Sequence, residues 1–253
     1  MAKPRTLRKP PIQEAVLQFN FVGAIHDRAS LEKIAESYVS GGWSLNEVRS
    51  VTSTVQAQLD DSTSAVLNSS NTFAGFVVRD PSSHRHIRFE LDHFAASIVH
   101  AYEKWESLET LAREAFDAFV ATGQPSQVLR FSTRFINRIP PFADLARFDQ
   151  TLTRPPLPID ELPGAHVTDF LRRHVIKGLD GGFVANLAIG TAENEADEVR
   201  NSAQALLIDV DVMKDVDVGP VFDLLRSDMA TARQIKNELF FGCLQEAVVE
   251  KFT

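Results

Sequence analysis

Between residues 51 and 102 the chain runs through four strand-length segments, VTSTVQAQLD, TFAGFVV, HIRFELD and FAASIVHAY, divided by the turn-prone pairs Asp60-Asp61, Asp80-Pro81 and Asp92-His93. Short strands with tight links pair with their sequence neighbours, so this stretch predicts an antiparallel meander. Ahead of it, IQEAVLQFNFVG places Ala15, Leu17, Phe19 and Phe21 on one parity, the mark of a half-buried strand. A helix is expected next, near Ser30 to Val39, with Asp27 and Ser30 available to cap it. After the meander a helix is expected from about Lys104 to Ala121, with Trp105, Leu108, Leu111, Ala112, Ala115, Phe116 and Phe119 on one face and TGQPS ending it.

The pattern then restarts. QVLRFSTRFINRI reads as a strand, DFLRRHVI as a helix, and GGFVANLAIG and AQALLIDVDV as strands. A long amphipathic helix is expected from Val221 to about Val249, carrying Phe222, Leu225, Met229, Ala232, Ile235, Leu239, Cys243 and Ala247. Each half therefore reads strand, helix, strands, long helix. The expected fold class is α+β, a mainly antiparallel sheet in two similar halves with helices on one face. The divisions are a basic N-terminal tail over 1–11, a first half over 12–124 and a second over 125–253; one continuous, unduplicated domain is the alternative. The proline-bearing LTRPPLPIDELPG, 152–164, reads as a stiff insertion or lid in the second half.

The 253 residues, 44% hydrophobic and 24% charged, suit one large domain or two small ones. The opening MAKPRTLRKPP is followed by no apolar signal region, and no apolar run approaches the ~18 residues of a membrane span, so a soluble, cytoplasmic protein is expected. The single cysteine, Cys243, excludes an internal disulfide or a cysteine zinc cluster, and its spacing from Leu239 and Ala247 reads as a packed thiol. The net charge of −8 is unevenly spread: residues 1–138 hold 15 Lys and Arg against 15 Asp and Glu, and residues 139–253 hold 11 against 19.

Three polar patterns are candidate sites. In SSHRHIRFELDHF the strand parity sets Ile87, Phe89 and Leu91 against His84, His86, Arg88, Glu90 and Asp92, with His93 expected on the apolar parity. A His-x-His pair could start a zinc site, but its next same-face neighbour is the cation Arg88, so a solvated or partner-facing strand face is expected and no metal. In VLRFSTRFINR, Leu129, Phe131, Thr133 and Phe135 alternate against Arg130, Ser132 and Arg134, with Arg138 beyond. Successive arginines ~13 Å apart suit several carboxylates or phosphates, unless cross-strand pairing with Asp209 and Asp211 neutralises them. Asp209 and Asp211 could instead hold divalent cations for phosphoryl transfer, although the glycine turn such a site needs is not at the right spacing. No Walker loop, GxGxxG, GxSxG or HExxH occurs, and no cofactor is expected.

The stretches KPPIQEAVLQFNF, AYEKWESL, RFSTRFINRI, LLIDVDV and IKNELFFG, in that order, resemble the landmarks of a sporadically distributed bacterial family of about this length that has no assigned function. The resemblance covers nearly the whole chain, and its patchy distribution implies a mobile-element or defence-associated role. The family's C-terminal helix usually carries a His near its start, where this chain reads RSDMATARQ.

The residues together lead to a binding or interaction module that recognises an anionic partner, a protein in preference to a nucleic acid and without a membrane, through His84, His86, Arg88, Arg130, Arg134 and Arg138. The alternative is a metal-dependent phosphoryl-transfer or nuclease enzyme using Asp209 and Asp211.

Overall fold

The computed structural model describes residues 2–22, 26–58, 64–123, 125, 127–142, 144–145, 147–156, 167, 169–193 and 204–253, with the backbone alone over 52–58 and 64–70. The described residues form nine strands: β1 (Ile12–Phe21), β2 (Ser44–Gln58), β3 (Ser64–Arg79), β4 (Arg85–Glu90), β5 (His93–Val99), β6 (Val128–Ile139), β7 (Leu171–Ile176), β8 (Val184–Ala192) and β9 (Ala205–Val218). They make one antiparallel sheet in the order β2-β3-β4-β5-β1-β6-β9-β8-β7. The helices are α1 (Arg28–Ser40), α2 (Trp105–Gly123), the short α3 (Phe148–Thr151), α4 (Arg226–Cys243) and α5 (Glu246–Glu250). The protein is α+β, as its strand and turn pattern predicts.

Strand parity decides which face the helices cover. Ala15, Leu17, Phe19 and Phe21 of β1, Ile87 and Phe89 of β4, and Phe131 and Phe135 of β6 are buried, and α1 packs over β3, α2 over β5 and β1, and α4 over β9 and β6. Asp27 caps α1 by accepting from the Ser30 N–H at 2.8 Å. Phe19, on the central strand β1, stacks on Phe94 at 5.3 Å and meets Phe116, Phe131 and Phe222 at 5.4, 6.5 and 5.7 Å. One ring thus touches β5 and α2 on one side and β6 and the 3-10 turn Phe222–Leu225 on the other, so the two halves share a core.

Several sequence expectations are corrected. DFLRRHVI, expected as a helix, forms a strand over Leu171–Ile176, with Leu171 and Val175 80% and 55% exposed on the sheet edge. The link to β8 carries Gly178, Gly181 and Gly182 at φ +75°, +75° and +80°, a conformation open to glycine that turns the chain back into a hairpin. The C-terminal helix is broken at Leu244, because Thr153 N–H takes the Cys243 carbonyl and Gln245 N–H reaches Thr151, drawing the chain into a bridge with Leu152. Its buried stripe is Leu225, Met229, Ala232, Lys236 and Phe240, so Ile235, Leu239 and Cys243 lie only at its margin. Leu129 is exposed because a register shift between Val128 and Arg130 takes it off the core parity.

Residues 2–11 pack onto the C-terminal elements: Ala2 N–H donates to Leu244, Lys9 N–H to Phe252, and Ala2 is buried. The Pro-rich 152–164 begins at the Leu152 bridge, and its residues 157–164 lie outside the described residues. No helix among the described residues is long and apolar enough to cross a membrane.

Because Phe19 ties both halves into one core, Phe19→Ala is expected to destabilise the protein by about 3–5 kcal/mol. Unfolding followed by circular dichroism and by tryptophan fluorescence should remain one coincident transition. Exposed Val51→Thr is the control, expected within about 0.5 kcal/mol of the parent.

Candidate functional site

The parity that buries the phenylalanines sends polar side chains to the other face, which no helix among the described residues covers. There the registers align into one rung across all nine strands: Ser44, Arg79, His86, Ser97, Val16, Arg134, Asp211, Asn186 and Val175. The next rung on that face runs Val77, Arg88, Ala95, Gln18 and Ser132 from β3 to β6. In the middle the short side chains Val16, Ala95, Ser97 and Ser132, with Gln18 the one longer residue on these two rungs there, leave a depression, and long polar side chains wall it on both sides. The result is a groove of about 360 Å³. Its β3-β4 wall is Arg79, His86 and Arg88, its β6-β9 wall is Arg134 and Asp211, and Glu14 and His93 also line it. From β4 to β6 is three strand spacings, about 14 Å.

The predicted site residues divide on this geometry. His86, Arg88 and Arg134 share the groove; His84, Arg130 and Arg138 do not line it. His84 precedes β4, and its Nδ1 donates to the Val99 carbonyl at 3.1 Å, whereas His86 Nε2 donates to the Ser83 carbonyl at 3.0 Å. A carbonyl only accepts, so each ring nitrogen so engaged carries the proton. Arg130 pairs with Asp215 at 2.6 Å, and an Arg138 NH2 group donates to the Glu193 carbonyl at 2.9 Å. Arg134 binds Asp209 with two parallel bonds of 2.9 and 2.7 Å, reaching diagonally past its direct partner Asp211. The arginine stripe is therefore both exposed and partly paired, and such exposed pairs contribute about 0–1 kcal/mol each.

Asp211 is the unusual group. Burial pushes its carboxyl up from the ordinary aspartate range, Arg134 opposing the shift and neighbouring Asp209 adding to it. Its Oδ1 is buried without a hydrogen-bond partner among the described residues. The Asp209-Asp211 pair has the spacing for two cations, but Asp209 is already held by Arg134 and the described residues contain no cluster of three His, Cys, Asp or Glu that could hold a metal ion. Burial also pushes the Cys243 thiol up to about 11, away from nucleophile chemistry.

His93 was expected on the apolar parity and lies instead in the groove. The hairpin pairs Phe89 with Phe94 across an even number of residues, which reverses the parity between β4 and β5. It hydrogen-bonds Asp92 at 2.7 Å and lies 3.5 Å from Glu90. Arg79 was missed altogether. Counting outward from the Asp80-Pro81 turn would have placed it opposite His86. Glu14 gave no sequence signal beyond its parity.

No protein-family model matches the chain, and no curated protein matches it.

The raised Asp211 carboxyl has a signed consequence. Its favourable protonated form is fully present below the unfolded aspartate range and is lost as pH rises through the raised value, so at neutral pH the ionised group costs stability. Asp211→Asn should raise the denaturant midpoint at neutral pH, with the gain vanishing in acid. Arg130→Ala should shift stability by no more than about 1 kcal/mol. Equal midpoints for Asp211→Asn and the parent at neutral pH would contradict the desolvated carboxylate.

Proposed function

We propose that this protein is a binding module that takes an acidic segment of a protein partner across the helix-free face of its sheet. The observation that carries the reading is the groove itself, with one wall of Arg79, His86 and Arg88 and a floor where Gln18 lies among the shorter Val16, Ala95, Ser97 and Ser132. Among the described residues the Arg79 side chain has no ion-pair or hydrogen-bond partner, and the Arg88 guanidinium is held only by Glu90 at 3.6 Å. These are the cations available to an incoming carboxylate. Arg134, committed to Asp209, shapes the opposite wall, and His84, Arg130 and Arg138 extend the polar surface beyond the groove.

Charge favours a protein over a nucleic acid. Glu14 and Asp211 lie in the groove, Asp209 and Asp215 beside it, and the excess acidity falls in residues 139–253. A duplex presents uninterrupted negative charge and is repelled by such a face, whereas protein interfaces use arginine among mixed charges. The hold of Arg134 on Asp209 weighs against phosphoryl transfer at the Asp pair.

The element order supports an internal duplication as part of the same proposal. From the centre outward, the first half runs β1, β5, β4, β3, β2 and the second β6, β9, β8, β7, and in chain order a helix follows the first strand (β1, β6) and the last strand (β5, β9) of each. A cytoplasmic location belongs to the proposal as well.

The test is anisotropy of labelled hexaglutamate and of labelled single- and double-stranded DNA, at low and physiological salt. The peptide is expected to bind and to lose about ten-fold or more in Arg79→Ala/Arg88→Ala. DNA binding should be weak and lost at physiological salt. Tight DNA binding that survives physiological salt and needs the same arginines would make the partner a nucleic acid, and no peptide binding at low salt would reject the module.

A further inference from the structure

A second cavity, of about 350 Å³, lies on the helix-covered side, where the N-terminal segment, the start of α2 and the middle of α4 meet. It is independent of the sheet-face groove: no residue lines both. Its distinguishing member is Lys236. This lysine occupies a core position on the α4 stripe, between Ala232 and Phe240, and is only 8% exposed. Its Nζ sits 3.9 Å from the centroid of the Phe135 ring, and among the described residues it has no carboxylate, carbonyl or hydroxyl partner.

An ammonium so deeply placed normally pairs with an acid, because burying a lone charge costs several kcal/mol. A ring face recovers only part of that. The cavity supplies further cations in place of an acid. Arg233 stands beside Lys236 on α4, its guanidinium 5.6 Å from the Trp105 ring centre and 3.5 Å from Glu106; Arg5 is paired with Glu246. Glu103, at the exposed rim with Lys104, is the one carboxylate on the lining. The remaining walls combine aromatic side chains, chiefly Tyr102, Trp105 and Phe240, with proline and aliphatic side chains of the N-terminal segment and two asparagines. Tyr102 adds a hydroxyl with no hydrogen-bond partner among the described residues, and burial pushes its phenol up to about 12, so it stays a donor.

We propose that this cavity binds a small aromatic carboxylate, whose anionic group completes the ion pair that Lys236 lacks and whose ring lies against the Trp105 and Phe240 side chains. The volume fits: binding cavities for small molecules span about 300–1,000 Å³, and this one falls at the small end.

The pairing makes binding proton-linked. Burial, with the charge of Arg233 adding, pushes the Lys236 ammonium down to about 7. A carboxylate favours the charged lysine, so binding takes up a proton, and affinity is greatest below that value and falls as pH rises through it. The titratable and charged groups lining the cavity with Lys236 are Arg5, Tyr102, Glu103 and Lys104 from other elements and Arg233 from α4 itself, with uncharged Asn137 from β6. Arginine keeps its charge throughout this range, and the Tyr102 phenol keeps its proton.

The experiment titrates benzoate into the full chain by calorimetry between about pH 6 and about pH 9, with inorganic phosphate and benzyl alcohol as comparison probes. Benzoate is expected to bind best at the acid end and to weaken toward about ten-fold per pH unit above the lysine value. Lys236→Met removes the buried charge at nearly equal volume and is expected to fold with an unchanged or higher thermal midpoint. It should lose benzoate affinity by about ten-fold or more and lose the pH dependence. Benzyl alcohol binding as well as benzoate would overturn the ion pair, and phosphate binding as well would overturn the aromatic class. Benzoate affinity unchanged in Lys236→Met, or no benzoate binding at the acid end, would overturn the site.

Discussion

The antiparallel pairing of β1 with β6 carries the structure, because it is the seam at which both halves become one sheet. Val16 opposite Arg134, Leu17 opposite Thr133 and Phe19 opposite Phe131 set the register there, and a slip of one residue would turn Phe19 out to solvent and Gln18 into the core. Phe19 is the reason such a slip is resisted: its ring is in contact with rings from both halves. Once that register is set, the same alternation that buries four side chains of β1 sends Glu14, Val16, Gln18 and Asn20 to the other face. Core and groove are two sides of one constraint.

The groove exists because residue size changes along a rung. Arg79, His86 and Arg88 on one side and Arg134 on the other flank the shorter Val16, Ala95, Ser97 and Ser132, so a depression opens over the middle of a sheet face that no helix among the described residues fills. Its electrostatics are uneven. Arg134 is closed down by Asp209, Asp211 is desolvated, and Arg79 and Arg88 are left with little to neutralise them. The second cavity follows a different logic, with a lysine placed where the α4 packing stripe calls for an apolar side chain.

Much of this was legible where a single period governs. Alternation in β1, β4 and β6 identified the core residues Leu17, Phe19, Phe89 and Phe135, and the short turn-bounded segments identified the meander. Legibility failed where the answer depends on a partner. β7 reads as a helix until β8 is there to pair with it, and His93 reads as apolar until the hairpin reverses the parity. Arg79 needed the β3-β4 register, and the short residues of the groove floor carry no chemical signature of their own. Lys236 was hidden by assigning the helical stripe to Ile235 and Leu239, one position away. The stretches PPI, YEKW, IKNELFF and the Asn137 of RFINRI, separate in the sequence, meet at the same cavity.

The central claim is that the cations left without firm partners on the bare sheet face are the ones that receive an acidic partner. The most direct measurement follows the arginine Nε–Hε resonances of the ¹⁵N-labelled protein while hexaglutamate is added. The account predicts that Arg79 and Arg88 shift together and saturate. Arg113, paired with Asp223 on the helix-covered side, should stay in place. Shifts in Arg113 equal to those of Arg79, or saturable binding that leaves both Arg79 and Arg88 unmoved, would contradict it.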